Sequence, residues 1–252
     1  ERLTRIEPEL VQLRRQRAIM SSAQSAFELG EELYSSGSIV WARDAFQSVV
    51  ENFPESSYFS NALFRLELIA FQLQDFQGAL DYADRLRQAA PEFQHMDLAQ
   101  IVGGLAYHNL GEFGRARQRL SQVPPTSEYA PLADYLRAVG YVEEEDIASA
   151  KSMFNEIIEN AGRSRSEVAL ADRSRIALAQ IMVEEEGLYE EALSLYDRVS
   201  PFSSYYDVSM LGKVWTLMRL ERYQEAYNLC ERVIEEVPGS DLRSEFELAM
   251  AN

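Results

Sequence analysis

Residues 29–54, LGEELYSSGSIVWARDAFQSVVENFP, contain the pattern that decides the fold. A small residue, Gly30, is followed by a glycine at position 37, an alanine at 42 and an aromatic residue, Phe46, before a proline ends the stretch. The same order recurs along the chain, and its central alanine returns as Ala79, Ala116, Ala150, Ala192 and Ala226. The steps between these alanines are 37, 37, 34, 42 and 34 residues, the length of a helix-turn-helix unit with its connection. Because one such unit cannot bury its apolar face alone, six units are predicted to stack into a solenoid.

Apolar residues within each unit have helical spacing. In the second unit Leu63, Leu66 and Ala70 share one face of a first helix, and Pro91 ends the second helix because proline cannot donate the next backbone hydrogen bond. The order of small and aromatic residues resembles the tetratricopeptide repeat (TPR) family over nearly all of residues 23–238. The resemblance implies an all-α fold, a right-handed α-solenoid of about six helix-turn-helix units.

The repeat pattern divides the chain into three segments. Residues 1–22 are predicted to form an N-terminal capping or linking helix, and residues 23–238 the six-unit solenoid. Residues 239–252 are interpreted either as a C-terminal capping helix or as the start of a further repeat. The step of 42 residues predicts an inserted loop at residues 160–168. Both ends resemble cut ends, so we expect the chain to be a piece of a longer protein.

Composition narrows the classes of partner. The chain carries 41 acidic and 24 basic residues, a net charge of −17, which repels phosphate backbones and anionic lipid. We therefore expect no nucleic-acid partner, and no direct membrane insertion because no run of 18 apolar residues exists. The single cysteine, Cys230, excludes an intrachain disulfide and leaves the compartment undetermined. It occupies a core position of the last unit, where we expect a small buried side chain.

A second resemblance concerns the setting. Junctions in which proline, serine and tyrosine follow a unit, such as residues 54–58, resemble those of bacterial envelope-associated TPR proteins, including outer-membrane assembly lipoproteins. The resemblance favours a periplasmic or membrane-associated setting, with the cytoplasm as the alternative. The sequence leaves the partner's identity and the oligomeric state open.

The first helices of successive TPR units line a concave groove, so the resemblance assigns groove positions. These positions are unusually apolar and aromatic, which is typical of a surface that binds a protein. The predicted partner-binding residues are Phe27, Tyr34, Phe64, Leu68, Phe71, Ile101, Leu105, His108, Tyr135 and Trp215. The expected ligand is an extended peptide or an amphipathic helix. The alternative is that a tightly wound superhelix, or the N-terminal helix, buries this stripe.

No catalytic, cofactor-binding or metal-binding site is predicted from the sequence. Chaperone-binding TPR domains clamp a carboxylate with several cations, whereas only Arg65 lies at a matching position here. The two histidines, His95 and His108, have no metal-ligand spacing, and no catalytic constellation, cofactor site or metal site is evident. We expect a non-catalytic scaffold or adaptor in a bacterial envelope or a multiprotein assembly. The alternatives are a regulatory module whose groove is filled by another part of a longer chain, and a helical accessory domain of an enzyme.

Overall fold

The computed structural model describes residues 22–162 and 164–251, which contain 13 α-helices and no β-strand. The predicted N-terminal helix, apart from Ser22, lies outside these residues. The helices are α1 (Ala23–Ser35), α2 (Ile39–Asn52), α3 (Phe59–Gln72), α4 (Phe76–Ala89), α5 (Met96–Asn109), α6 (Phe113–Leu120), α7 (Ala130–Glu143), α8 (Ile147–Glu159), α9 (Arg165–Ile181), α10 (Tyr189–Asp197), α11 (Tyr206–Arg219), α12 (Tyr223–Glu236) and α13 (Arg243–Ala251). A π-helical turn (Met182–Glu186) follows α9.

Consecutive helices pack in pairs, which confirms the all-α repeat architecture. The pairs α1/α2, α3/α4, α5/α6, α7/α8, α9/α10 and α11/α12 are called hairpins 1 to 6. Each central alanine of the repeat is buried in its hairpin, with at most 4% of its surface exposed. Hairpins 1–3 lie in one compact half and hairpins 4–6 with α13 lie in a second, with the division between Tyr129 and Ala130. At the end of the second half, α13 packs on α12 through the buried Phe246, as either a cap or a further first helix would.

A left-handed backbone residue turns the chain inside every hairpin. Hairpins 1, 3 and 5 place glycine there, which adopts a positive φ without steric cost. Hairpins 2, 4 and 6 place Gln74, Glu145 and Glu221 at φ of 59–61°, a conformation that L-residues adopt at some energetic cost. The six turn residues are Gly37, Gln74, Gly111, Glu145, Gly187 and Glu221. The packing of the two helices therefore imposes this turn, and glycine is the residue that adopts it at the lowest energetic cost.

A small residue on the first helix faces a large one on the second. A Cβ on Gly30 would lie 2.6 Å from the Phe46 ring, and a Cβ on Gly104 would lie 2.5 Å from Leu120 Cγ. The partners in both pairs are 16 residues apart in the sequence. In hairpin 2 the sizes are reversed, because Glu67 occupies the small-residue position and Ala83 the large one. These contacts set how closely the helices of a hairpin approach.

Hairpin 5 departs from the others. The matching pair Ala179 and Tyr196 is buried but 17 residues apart, and the π turn between them accommodates the additional residue. The predicted loop at residues 160–168 is also shorter than expected, because α9 already begins at Arg165. A capping box starts this helix early: Ser164 accepts from the Glu167 backbone N–H, and the Glu167 carboxylate accepts from that of Ser164.

Glu67 is the exception to the apolar core of the first half. Its side chain is fully buried, and neither carboxylate oxygen has a hydrogen-bond partner in the described structure. Arg119 and Asp84 lie close enough to act on its charge, and they bind each other at 2.9 Å between Nη1 and Oδ1. Burial raises the pKa of Glu67 to about 9, with Arg119 opposing the rise and Asp84 adding to it. The carboxyl group is therefore neutral in the folded protein at physiological pH.

The close approach of α5 and α6 predicts the effect of enlarging Gly104. The Gly104→Ala substitution is expected to cost about 1–3 kcal/mol of the free energy of unfolding, because the methyl group meets Leu120 at overlapping distance. In the double variant with Leu120→Ala, the loss should be smaller than the sum of the two single losses. Denaturant unfolding measures all three; Gly239→Ala, which has open space, is the control. Additive losses would contradict the assigned contact.

The buried carboxyl group of Glu67 predicts a pH dependence of stability. Because the folded pKa lies above the unfolded value, its contribution is fully present below about pH 4.5 and is lost as the pH rises towards 9. Between pH 5 and pH 8 the melting temperature of the wild type should therefore fall relative to that of Glu67→Gln, which cannot ionise. The exposed Glu55→Gln is the control. Parallel profiles for wild type and Glu67→Gln would show that Glu67 keeps an ordinary pKa.

Candidate functional site

The structure places the ten predicted partner-binding residues in three environments. Phe64, Ile101 and Tyr135 are buried, with exposed fractions of 7%, 2% and 8%. Trp215 is exposed, at 41%. The half-buried residues are Phe27, Tyr34, Leu68, Phe71, Leu105 and His108. At these three positions the stripe is buried, as the alternative interpretation of the sequence expected. Partner binding by the ten residues stays a prediction.

Loop residues cover the stripe in the first half. The rings of Phe93 and His95, which precede α5, lie 5.6 and 5.7 Å from the ring of Phe64. Phe71 packs edge-on against Phe76, with 5.6 Å between the ring centroids. His108 packs in the same way against Phe113 of α6. The spacing of apolar residues on the first helices could not reveal this cover, because the covering rings come from connections and second helices.

Arg65, the one cation that the sequence places at a clamp position, already has a carboxylate partner. Arg65 donates to both oxygens of Glu31, from Nε at 2.6 Å and from Nη2 at 2.7 Å. Its guanidinium carbon lies 5.5 Å from the centre of the Tyr34 ring. A carboxylate ligand would have to displace Glu31.

The second half contains an open cavity of about 620 Å³. Trp215, one of the ten predicted partner-binding residues, lines it together with residues outside those ten. Residues of α9, the π turn, α10, α11 and α12 form its wall: Gln180, Val183, Glu184, Tyr196, Gly212, Thr216, Met218, Arg219 and Tyr223. This volume lies within the range of small-molecule and side-chain binding pockets.

Gly212 and Tyr196 shape the cavity. A Cβ on Gly212 would lie 2.8 Å from the Tyr196 hydroxyl oxygen, so only glycine leaves room for the phenol. Burial raises the pKa of Tyr196 to about 12, and a hydrogen bond with Thr216 partly offsets this rise. At physiological pH the hydroxyl group is therefore neutral, and Tyr196 forms a buried part of the cavity wall. Glycine at position 212 was the sequence signal that could have located this cavity.

The rim of the cavity is charged and aromatic. Arg219 Nη2 lies 2.9 Å from Glu184 Oε1, and both side chains are about half exposed. Tyr223 adds a ring that is 58% exposed. An aromatic wall with a polar floor and a paired charge at the edge can hold an apolar side chain of a partner and orient its backbone.

The described residues contain no candidate metal site. No cluster of three His, Cys, Asp or Glu side chains with metal-binding geometry occurs among them. Cys230 is buried, as predicted, and burial raises the pKa of its thiol. None of the helices in the described part of the chain is both long and apolar enough to cross a membrane.

Solved structures of low sequence identity share the fold. The apo quorum sensor NprR from B. thuringiensis superposes with a TM-score of 0.66 at 16% identity, covering 99% of this chain and 75% of that one. A tetratricopeptide repeat protein from Parabacteroides merdae gives 0.51 at 15% identity, with coverages of 91% and 99%. A chain of the APC/C hetero-tetramer Cut9–Hcn1 gives 0.57 at 16% identity, with coverages of 99% and 46%. The chain thus has the TPR fold, as its repeats implied, although no family model and no curated protein matches it.

Burial of Phe64 predicts that a charged substitution there lowers stability. Phe64→Glu would place a carboxylate beneath Phe93 and His95, so it should lower the melting temperature, whereas Trp215→Glu should leave it nearly unchanged. Thermal unfolding followed by circular dichroism tests both. A stable Phe64→Glu protein would restore Phe64 as an exposed groove residue.

Proposed function

We propose that this chain is a non-catalytic adaptor that binds a protein partner through the cavity beside Trp215. The observation that carries the proposal is the cavity itself, in which an exposed indole and an exposed phenol ring surround a polar floor. Large aromatic side chains supply contact area at low entropic cost and are frequent at the centres of interfaces. The ligand is a peptide segment, extended or helical, that places an apolar side chain in the cavity.

The two halves contribute differently to this proposal. In the first half, Phe64 and Phe71 on a first helix already pack on neighbouring rings, and Tyr34 packs on an arginine. In the second half, Trp215 and Tyr223 keep large exposed surfaces beside an open volume. We therefore assign the primary contact to residues 180–223 rather than to the stripe as a whole.

The similar structures support this class of function by analogy only. One of them belongs to a hetero-tetramer, in which a chain of this fold is assembled with another protein. The setting favoured by the sequence, a bacterial envelope or a multiprotein assembly, stays a prediction. A cavity filled in cis by another part of a longer chain is the main alternative, and it predicts that a longer form binds the same peptides more weakly.

The two tryptophans of the chain provide a matched test. Trp41 is 52% exposed on α2, outside the cavity, and Trp215 is 41% exposed within it. Peptides selected from a random library should bind Trp215→Ala about thirtyfold more weakly than wild type, which corresponds to about 2 kcal/mol. They should bind Trp41→Ala with unchanged affinity. Titration calorimetry measures both.

Fluorescence supplies an independent readout. In a Trp41→Phe protein, Trp215 is the remaining tryptophan, and its emission should shift to shorter wavelength when a bound peptide excludes water from the indole. The proposal fails if no peptide is selected, or if the selected peptides bind both alanine variants equally well.

A further inference from the structure

Arg173 on α9 has an unusual environment. Its guanidinium carbon lies 4.4 Å from the centre of the Tyr135 ring and 5.3 Å from that of the Tyr205 ring. These rings come from α7 and from the connection before α11. No hydrogen bond or ion pair to Arg173 occurs among the described residues, in a half that carries 24 acidic side chains against 12 basic ones.

The neighbouring charges do not neutralise Arg173. Arg175 Nη1 lies 2.7 Å from Oδ1 of the buried Asp172, and Arg137 Nη1 lies 2.9 Å from Asp134 Oδ1. Each of these two arginines therefore has its own carboxylate. The charge of Arg173 is stabilised instead by contact with aromatic rings.

A guanidinium group whose face packs on a tyrosine ring keeps the N–H donors at its edge available for hydrogen bonds. The N–H donors of arginine lie in the plane of the group and match a carboxylate with two parallel hydrogen bonds. Because the two rings hold the group in place, less side-chain entropy is lost when an anion binds. The two rings thus fix the position of the Arg173 guanidinium group on a first helix of the second half.

The spacing along α9 relates Arg173 to the cavity. Gln180, which lines the cavity, is seven residues further on, so the two residues lie on nearly the same face about 10 Å apart. An extended peptide covers this distance in about three residues. A ligand whose apolar side chain fills the cavity can therefore place a carboxylate at Arg173.

We propose that Arg173 binds a carboxylate of the peptide ligand about three residues from the side chain that occupies the Trp215 cavity. This inference rests on the proposed function and specifies its ligand as an acidic segment with an apolar anchor. The carboxylate comes from an aspartate or glutamate side chain or from the peptide's C-terminus. Arg173 contributes specificity because it binds a carboxylate more tightly than the amide of the same shape.

A double-mutant cycle between protein and peptide tests the contact. Peptides selected from a random library on the wild type should be enriched in Asp or Glu, or should require a free C-terminus. Exchanging that carboxylate for its amide should weaken binding to the wild type about tenfold. On Arg173→Gln, the acid and amide peptides should bind equally. A purely structural role of Arg173 would weaken both peptides alike and preserve their difference.

Controls separate the possible failures. Arg232→Gln, an exposed arginine on α12, should retain the acid preference, and Arg173→Lys, which keeps the charge without the planar fork, should lose most of it. Amidated peptides distinguish a C-terminal carboxylate from a side chain. Binding that depends on Trp215 but shows no acid preference, or a preference that survives in Arg173→Gln, overturns this inference and leaves the adaptor proposal standing. Absence of any Trp215-dependent peptide overturns both.

Discussion

The close approach of two helices within each hairpin is the constraint on which the structure depends. A buried alanine at the centre of every second helix, and a small residue paired with a large one, bring the helices together. The left-handed turn follows from that approach, since it is kept even where Gln74 or Glu221 must adopt it. In hairpin 2 the large residue at these positions, Glu67, is on the first helix and the small one, Ala83, is on the second, and both are buried.

The departures of hairpins 2 and 5 from the repeat affect electrostatics and the candidate site as well as packing. Placing Glu67 where other hairpins have a small or apolar residue buries a carboxyl group without a hydrogen-bond partner in the described structure, next to an arginine already bound to Asp84. In hairpin 5 the additional residue is absorbed by a π turn, and Val183 and Glu184 of that turn form part of the cavity wall. The irregularities of the repeat, rather than its regular positions, therefore shape the candidate site.

The sequence predicted the fold well and the site only in part, for a physical reason. The spacing of the central alanines and the recurring glycines are local patterns with a fixed helical geometry, so they identify hairpins directly. Exposure of a side chain depends on what other segments place over it. Phe93 and His95 cover Phe64 from a connection, whereas none of the described residues covers Trp215 in this way. The stacking of Arg173 between two tyrosines joins three segments and has no local signature.

The most direct test of the account is site-specific photocrosslinking in the native organism. A photoreactive phenylalanine analogue at position 223 would sit at the cavity rim, whereas the same analogue at positions 41 and 202 would replace exposed aromatic residues outside it. We expect one protein partner to be crosslinked from position 223 and from neither of the others. Crosslinking of a partner from position 41 or 202, with none from position 223, would contradict the assignment of the cavity as the binding site.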